Sequence, residues 1–422
     1  MTDPAFSIDV VPFGLARFGF VERDDGAFLA LLGGWQGSIS DDRGRTWSRP
    51  QPLIASDRAP FPAGKGNASI IRLASGRIGI QRMFPEGPDP LPGSKSDFAL
   101  SFATSDDEGR TWSEEFRINR PGARGHPYHD ALIQTRNGRL ILPVRACYAN
   151  RSEETEGKAM GTVRGHRVVV EGHAHYPEID IAFVHYSDDE GSTWHRAPSD
   201  VIGWPDDGRR GTYATDEPTV ADTGDGRLLM FARSTSGRVF ESRSDDNGFN
   251  WSRGLPNELC NSYSPVRLRT LPTTGDLHCI WNQVTRDEIR RGYRRSRLTS
   301  ALSDDGGRTW KHFTTLDCAD PLDRAPRQTP DPRIEFVVAD DQCGEMPDNF
   351  CIYRYPNARY VGDTAFISYD REGFKFPGSP RRQHVLRAIP IDWLYDDARS
   401  DLSLSNDARQ GPPSATGESI ED

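Results

Sequence analysis

Three arginines recur at equivalent positions of a repeated strand–turn–strand pattern. Counted from the glycine of each turn, Arg145 and Arg233 lie seven residues on, and Arg82 lies six residues on. The corresponding position holds Asn282 and Tyr369 in two further copies. A guanidinium group binds a carboxylate through two parallel hydrogen bonds. Arginines at equivalent strand ends therefore predict a site for an anionic ligand.

The starts of the first strands carry groups that could react with such a ligand. Glu217 precedes Arg233 by sixteen residues across one hairpin, so both are expected at the same end of it. Tyr213 and Arg354 lie near comparable strand starts. A basic cluster in an acidic protein indicates an anionic ligand. We expect a sugar acid: sialic acid, a related nonulosonic acid or a uronate.

The overall composition limits the other partners. The 422 residues carry a net charge of −10, with a pI of about 5.6, which argues against nucleic acid. Apolar runs are too short to span a membrane, and the first residues lack the layout of a signal peptide, so we expect a cytoplasmic protein unless a leader was removed. The six cysteines form no CxxC pair and are expected to be reduced thiols, with zinc bound by Cys343, Cys351 and a histidine as the alternative. No cofactor is expected.

A second repeat indicates how these residues are positioned. The phrase S-D-D-x-G-x-T-W recurs five times, and its fourth copy has Asn250 in place of threonine; the copies begin at Ser40, Ser105, Ser187, Ser244 and Ser303. The aspartates can accept hydrogen bonds from the local backbone, the glycine allows a positive φ, and the tryptophan can pack under the turn. These residue types favour a structural corner over a catalytic motif.

The two repeats together predict the architecture. Six strand–turn–strand units are present, and five of them lead into a tryptophan corner. Four-stranded units arranged radially form a six-bladed β-propeller. We expect one domain over residues 1–395, closed by pairing of SIDVVPF with HVLRAIPI, and a disordered tail over residues 396–422. Strand alternation places the glycine turns and tryptophan corners on one face and the arginines on the other.

The repeated phrase resembles the Asp-box, or BNR repeat, of the sialidase (neuraminidase) superfamily over about residues 8–395. The resemblance implies an exo-acting glycoside hydrolase in which Glu217 polarises a nucleophilic tyrosine and Arg233 binds the substrate carboxylate. Tyr369 matches the nucleophile in position, and Asp97 is the candidate general acid. The usual R-I-P motif is missing, so Arg82 or Arg145 would replace its arginine, with Arg354 or Arg333 as the third.

Two other functions remain open. Histidines cluster near the same face and, with tyrosine and arginine, could perform β-elimination of a uronate; they are His126, His129, His166, His173 and His175. His129 is the candidate base and His175 a candidate substrate ligand. Separation of Tyr369 from Glu217 would favour this lyase. The HAH stretch could instead hold a metal, and a third possibility is a non-catalytic glycan-binding propeller. The sequence leaves the oligomeric state open.

Overall fold

The fold is an all-β propeller of six blades, seen in a computed structural model. The described residues are 6–8, 19–32, 36–53, 67–85, 98–123, 125–148, 151–163, 165–176, 179–203, 214–285, 288, 293, 295–319, 345, 350–373 and 381–397. Within these residues, no helix is both long and apolar enough to cross a membrane. The predicted fold class is confirmed.

The first three blades follow the chain in order. Blade 1 contains β2 (Phe20–Glu22), β3 (Phe28–Leu32), β4 (Gln36–Ser40) and β5 (Gln51–Pro52). Blade 2 contains β6 (Ser69–Arg72), β7 (Ile78–Pro85), β8 (Phe98–Ser105) and β9 (Phe116–Arg117). Blade 3 contains β10 (His126–Pro127), β11 (Ile133–Gln134), β12 (Leu140–Cys147), β15 (Asp180–Ser187) and β16 (His195–Arg196). Between its two middle strands a separate ribbon is inserted, formed by β13 (Arg151–Val163) and β14 (His166–Tyr176).

The last three blades complete the ring. Blade 4 contains β17 (Asp216–Gly224), β18 (Arg227–Arg233), β19 (Arg238–Ser244) and β20 (Leu255–Cys260). Blade 5 contains β21 (Arg267–Thr270), β22 (Leu277–Trp281), β23 (Arg297–Ser303) and β24 (Lys311–Cys318). Blade 6 contains β25 (Cys351–Val361), β26 (Thr364–Gly373) and β27 (Arg381–Pro390), followed by a 3₁₀ helix (Ile391–Tyr395).

The ring is closed by the first strand of the chain. β1 (Phe6–Ile8) pairs antiparallel with β27, with Phe6 opposite Ala388 and Ile8 opposite Leu386. The outermost strand of blade 6 thus comes from the N-terminal segment. The predicted closure is confirmed.

The Asp-box corners are held by side-chain hydrogen bonds that repeat from blade to blade. In blade 1, Asp42 accepts from the backbone N–H of Thr46 at 2.8 Å and from its hydroxyl at 2.6 Å, and Trp47 Nε1 donates to the Gly44 carbonyl at 3.0 Å. In the fourth copy Asn250 Nδ2 donates to Asp246 Oδ2 at 2.7 Å and replaces the threonine hydroxyl. In both copies the second aspartate of the motif accepts these hydrogen bonds. Because Asn250 supplies an equivalent donor, the fourth copy keeps the same corner.

Each corner also packs against the preceding blade. The Trp194 ring of blade 3 lies edge-on to Phe102 of blade 2, with centroids 5.5 Å apart. Gly191 has a φ of 93°, and a Cβ at this position would lie 2.1 Å from Phe102. The box glycine is therefore required both for its backbone conformation and for close packing between blades.

Candidate functional site

The innermost strands turn their first residues towards the axis through an unusual backbone conformation. Four residues at these starts have a positive φ: Asp130 (49°), Glu217 (46°), Tyr263 (50°) and Tyr355 (53°). A register shift follows both Glu217 and Tyr355 in the pairing of the first two strands. Such conformations are unfavourable for non-glycine residues and cluster at functional sites. The candidate site is the end of the propeller that faces away from the Asp boxes, where Glu217, Tyr263 and Tyr355 lie; it is here called the mouth.

An ion pair defines one side of the mouth. Arg233 Nη1 donates to Glu217 Oε2 at 2.7 Å, and the Arg233 guanidinium stacks 3.9 Å from the centre of the Tyr263 ring. The two charged side chains remain 13% and 15% exposed. Burial alone would lower the pKa of Arg233, but the Glu217 carboxylate raises it well above its ordinary value. The predicted placement of Glu217 and Arg233 at one end of their hairpin is confirmed.

A second arginine adjoins this pair and has no carboxylate ion pair within the described residues. Arg295 is half-buried, its guanidinium carbon lies 5.8 Å from the centre of the Tyr355 ring, and its Nη2 donates to the Tyr263 carbonyl at 3.5 Å. Burial lowers the pKa of Arg295, and the neighbouring positive charge of Arg233 lowers it further. Arg233 is close to both Glu217 and Asp216, whereas Arg295 pairs with no carboxylate of the described residues, so Arg295 is the guanidinium group that favours an incoming anion.

Aromatic side chains form a wall beside Arg295. The His129 ring packs against both Tyr128 and Tyr355, with centroid distances of 5.3 Å and 5.2 Å, and the two tyrosine rings are 6.1 Å apart. Tyr128 is buried, and burial raises the pKa of its hydroxyl far above the ordinary value. His129 and Tyr355 are only half-buried. They are the members of this wall that a ligand can reach.

Asp130 lies beneath the mouth and connects several blades. It is fully buried and accepts hydrogen bonds from Arg359 Nε at 2.8 Å, Asn357 Nδ2 at 2.9 Å and Arg269 Nη2 at 3.2 Å. Arg267 Nη1 donates to the Asp130 carbonyl at 3.1 Å. Burial alone would raise the pKa of this carboxyl, but the three guanidinium groups together lower it. Asp130 is therefore an ionised anchor for the inner strands.

Tyr369 is not part of the mouth, and the predicted pair with Glu217 is wrong. Tyr369 is 0% exposed between blades 5 and 6, where its hydroxyl donates to Asp317 Oδ2 at 2.8 Å and accepts from Arg387 Nε at 2.8 Å. Burial raises its pKa well above the ordinary value. The reason is strand length: β26 continues four residues beyond Tyr369 to Gly373, so this side chain faces the neighbouring blade.

Arg145 and Arg82 also lie inside the fold and do not serve as ligands of the mouth. Arg145 is 3% exposed and pairs with Asp180 at 3.0 Å and Asp216 at 2.9 Å, which joins blades 3 and 4. Arg82 is buried and pairs with Glu115. β12 and β7 extend past these arginines, whereas Arg233 is the last residue of β18. Only Arg233 therefore projects from a strand end as predicted.

Two further candidates, Asn282 and Arg354, form contacts within their own blades. Asn282 is fully buried and donates to the Arg297 carbonyl at 3.1 Å, and Arg354 pairs with Glu372 at 3.2 Å. Asn282 and Arg354 are thus engaged within blades 5 and 6 respectively. Candidates outside the described residues are Asp97, Tyr213, Arg333 and Cys343, together with the side chains of His166, His173 and His175 on β14. The described part of the chain contains no group of three His, Cys, Asp or Glu residues that could hold a metal.

The sequence analysis missed the roles of Arg295 and Tyr355 in the mouth. A signal was present for Tyr355, because it directly precedes a proline, as Glu217 does. In both strands this proline lies at the register shift that turns the preceding residue inward. Arg295 follows a connection between two strands and carries no comparable signal.

Fold and corners together define a six-bladed BNR-repeat propeller. The sequence model of the BNR repeat-like domain matches residues 90–367, and the chain belongs to that family. No curated protein matches the chain in sequence.

Solved structures agree on the fold. A protein of unknown function from Dyadobacter fermentans is 13% identical, with a TM-score of 0.55 over 91% of this chain and 98% of that one. The NanB sialidase of Streptococcus pneumoniae, as a mutant, is 13% identical, with a TM-score of 0.51 over 92% and 71%. Trypanosoma rangeli sialidase in complex with the inhibitor DANA is 14% identical, with a TM-score of 0.52 over 91% and 58%. At such identities the similarity shows the fold alone.

Proposed function

We propose that the protein is a sialidase-like exo-glycoside hydrolase that acts on an acidic sugar: sialic acid, a related nonulosonic acid or a uronic acid. One observation carries the proposal. The mouth combines the Glu217–Arg233 ion pair with Arg295, which has no carboxylate ion pair in the described part of the chain. Arg233 and Arg295 are the donors for the substrate carboxylate, because a guanidinium group binds a carboxylate with two parallel hydrogen bonds.

Tyr355 takes the role of nucleophile in this proposal. It is half-buried at the register shift inside β25, the first strand of the last blade, and it lies close enough to Arg233 and Arg295 to affect the pKa of both. Its oxygen would attack the anomeric carbon as the glycosidic bond breaks, and water would then hydrolyse the tyrosyl intermediate. A neutral tyrosine approaches a carboxylate-bearing sugar with less repulsion than an anionic nucleophile does. Glu217 would accept the phenolic proton, and Asp97 remains the candidate that protonates the leaving oxygen.

The test compares two tyrosines on the same blade. The protein is incubated with a panel of acidic oligosaccharides, and released monosaccharide is measured for wild type, Tyr355→Phe and Tyr369→Phe. We expect release by the wild type, loss of turnover with retained ligand binding in Tyr355→Phe, and turnover per folded molecule unchanged in Tyr369→Phe. Full activity of Tyr355→Phe would remove it as the nucleophile. Ligand binding without turnover by the wild type would support the glycan-binding alternative.

Arg233 supplies a second, independent measurement. Arg233→Lys keeps the charge but loses the two-pronged geometry, so kcat/KM for acidic substrates should fall by an amount equivalent to roughly 1–3 kcal/mol. Neutral analogues of the same sugars serve as the control, since their turnover does not depend on a carboxylate contact. An unchanged kcat/KM for the acidic sugars would exclude Arg233 from substrate binding.

A uronate lyase is the second candidate, and the position of His129 supports it. The half-buried His129 ring contacts Tyr128 and Tyr355, and Tyr355 adjoins Arg295; histidine, tyrosine and arginine are the groups needed for β-elimination. The separation of Tyr369 from Glu217 also agrees with this alternative. An unsaturated uronate product that absorbs in the ultraviolet, abolished by His129→Ala, would identify the lyase. Free monosaccharide without this absorbance would identify the hydrolase.

A further inference from the structure

A second cavity lies at the opposite end of the axis from the mouth. Its volume is about 830 Å³, and residues from all six blades line it near the glycine turns, on the face that carries the Asp boxes. Arg269 and Arg359 line its inner part, and Arg136 is an exposed lining residue. Neither the carbohydrate proposal nor the Asp-box corners use this cavity.

The inner part of the cavity carries unbalanced positive charge. Arg269 and Arg359 contact the Asp130 carboxylate, and Arg267 donates to the Asp130 backbone carbonyl. Among the described residues, Asp130 is the one carboxylate that forms an ion pair with any of these three guanidinium groups, so positive charge is in excess around it. Burial lowers the pKa of Arg269 to about 9, and the adjacent Arg267 contributes to this shift. A bound anion would relieve this repulsion.

Arg269 also has hydrogen-bond donors without partners. Its side chain is 9% exposed, and Nη2 donates to Asp130, but Nε and Nη1 have no hydrogen-bond partner among the described residues. A buried charged donor without a partner is unfavourable, so these two atoms call for an acceptor. An oxyanion beside this guanidinium would satisfy both atoms through a pair of parallel hydrogen bonds.

Arg136 provides a second guanidinium on the same wall. A Cβ at Gly224 would lie 2.9 Å from Arg136 Nη1, and one at Gly275 would lie 3.0 Å from Nη2, so Arg136 extends from blade 3 to blades 4 and 5. Within the described residues it forms no ion pair with a carboxylate. The acidic side chain of Asp222 on the same wall already accepts the backbone N–H groups of Arg136 and Gly224, each at 2.7 Å. Glu22, Asp24 and Asp363 also line the cavity.

We propose that this cavity is a binding site for a compact, doubly charged oxyanion of the phosphate or sulfate type, held by Arg269 with Arg136 as the outer contact. The guanidinium groups of Arg269 and Arg136 together match the charge of a dianion, and glycines at positions 224 and 275 leave room for the Arg136 guanidinium. This site is independent of the proposed glycosidase activity.

The test uses inorganic phosphate as the probe, titrated by calorimetry into the full chain at constant ionic strength. We expect one saturable site per chain and a rise in Tm with phosphate concentration. Arg136→Gln should weaken binding at least tenfold, and Arg269→Met should abolish it. Arg110→Gln is the matched control, because this exposed arginine lies on the same face but outside the cavity, and its affinity should equal that of wild type.

Phosphate affinities of the variants decide whether the cavity is an anion site. Absence of saturable binding at millimolar phosphate, or equal affinity in Arg136→Gln and Arg110→Gln, would overturn the proposal; this comparison holds even if Arg269→Met fails to fold. Competition by glucuronate at the site removed by Arg269→Met would indicate that the natural anion is a sugar acid. Failure of glucuronate to compete would indicate a phosphate or sulfate group.

Discussion

Replacement of Asp130 by asparagine should destabilise the whole propeller. Asp130 is 0% exposed, its carboxylate is shared by Arg269 and Arg359, and the nearby Arg267 charge also interacts with it electrostatically. Asparagine keeps the shape of the side chain but removes the negative charge and turns one acceptor into a donor. That donor would face the guanidinium groups, so the change removes an ion pair and leaves unpaired donors.

The size of the effect follows from burial. Removal of one partner from a buried ion pair costs about 3–5 kcal/mol, because the remaining charge stays buried without compensation. Three cations depend on Asp130, so we expect the upper half of this range. A loss of this size is a large fraction of the usual 5–15 kcal/mol free energy of unfolding. Because the unfolding entropy of a propeller of this size is about 0.8 kcal/mol/K, the loss should lower Tm by roughly 5 °C.

The assay is urea-induced and thermal unfolding of Asp130→Asn beside Asp188→Asn. Asp188 pairs with Arg139 on the surface, where it is 58% exposed, so its replacement should cost at most about 1 kcal/mol. The folded pKa of Asp130 is below its unfolded value, so its contribution is complete above about pH 4 and is lost as the pH falls through the folded pKa. Equal losses in the two variants, or a difference that persists unchanged at low pH, would refute the reasoning.

Three further predictions concern structural residues. Arg145→Gln removes the buried cation that pairs with both Asp180 and Asp216, so the free energy of unfolding should fall by about 3–5 kcal/mol, measured by urea titration. Burial lowers the pKa of His278 to about 3, so its contribution to stability is complete above the unfolded pKa of about 6.5. As the pH falls from 7 to 5, the free energy of unfolding should decrease by about 2 kcal/mol. The variant His278→Gln should lack this part of the pH dependence. Asn250→Thr should change the free energy of unfolding by less than about 0.5 kcal/mol, because threonine makes the same hydrogen bond in the other corners; a loss above 1 kcal/mol would contradict the equivalence.

The architecture could be predicted because its signals repeat. The Asp-box residues return with fixed internal spacing, and each performs the same local function, so five copies predict five corners and the orientation of the strands between them. The functional residues carry no such repetition. Arg233 and Tyr369 lie equally far from their turn glycines, but β18 ends at Arg233, whereas β26 continues to Gly373. Strand length depends on pairing with the next strand, which spacing from the turn does not reveal.

The centre of the propeller was equally inaccessible to sequence reasoning. The inward turn of Tyr355 depends on a positive φ and a register shift, and the position of Asp130 depends on arginines more than a hundred residues away in the chain. Proline after Glu217 and after Tyr355 was the available local signal. It marks a change of direction but does not specify which side chain reaches the axis.

The pairing of β1 with β27 has a consequence for synthesis of the protein. Phe6 must pair with Ala388, so the ring cannot close until almost the entire folded part of the chain has left the ribosome. Until then the newly made blades have an open end, with an unpaired strand edge that could associate with other chains. Contacts this distant in sequence also form slowly. Production of the protein should therefore depend strongly on temperature and on chaperones that protect the nascent blades.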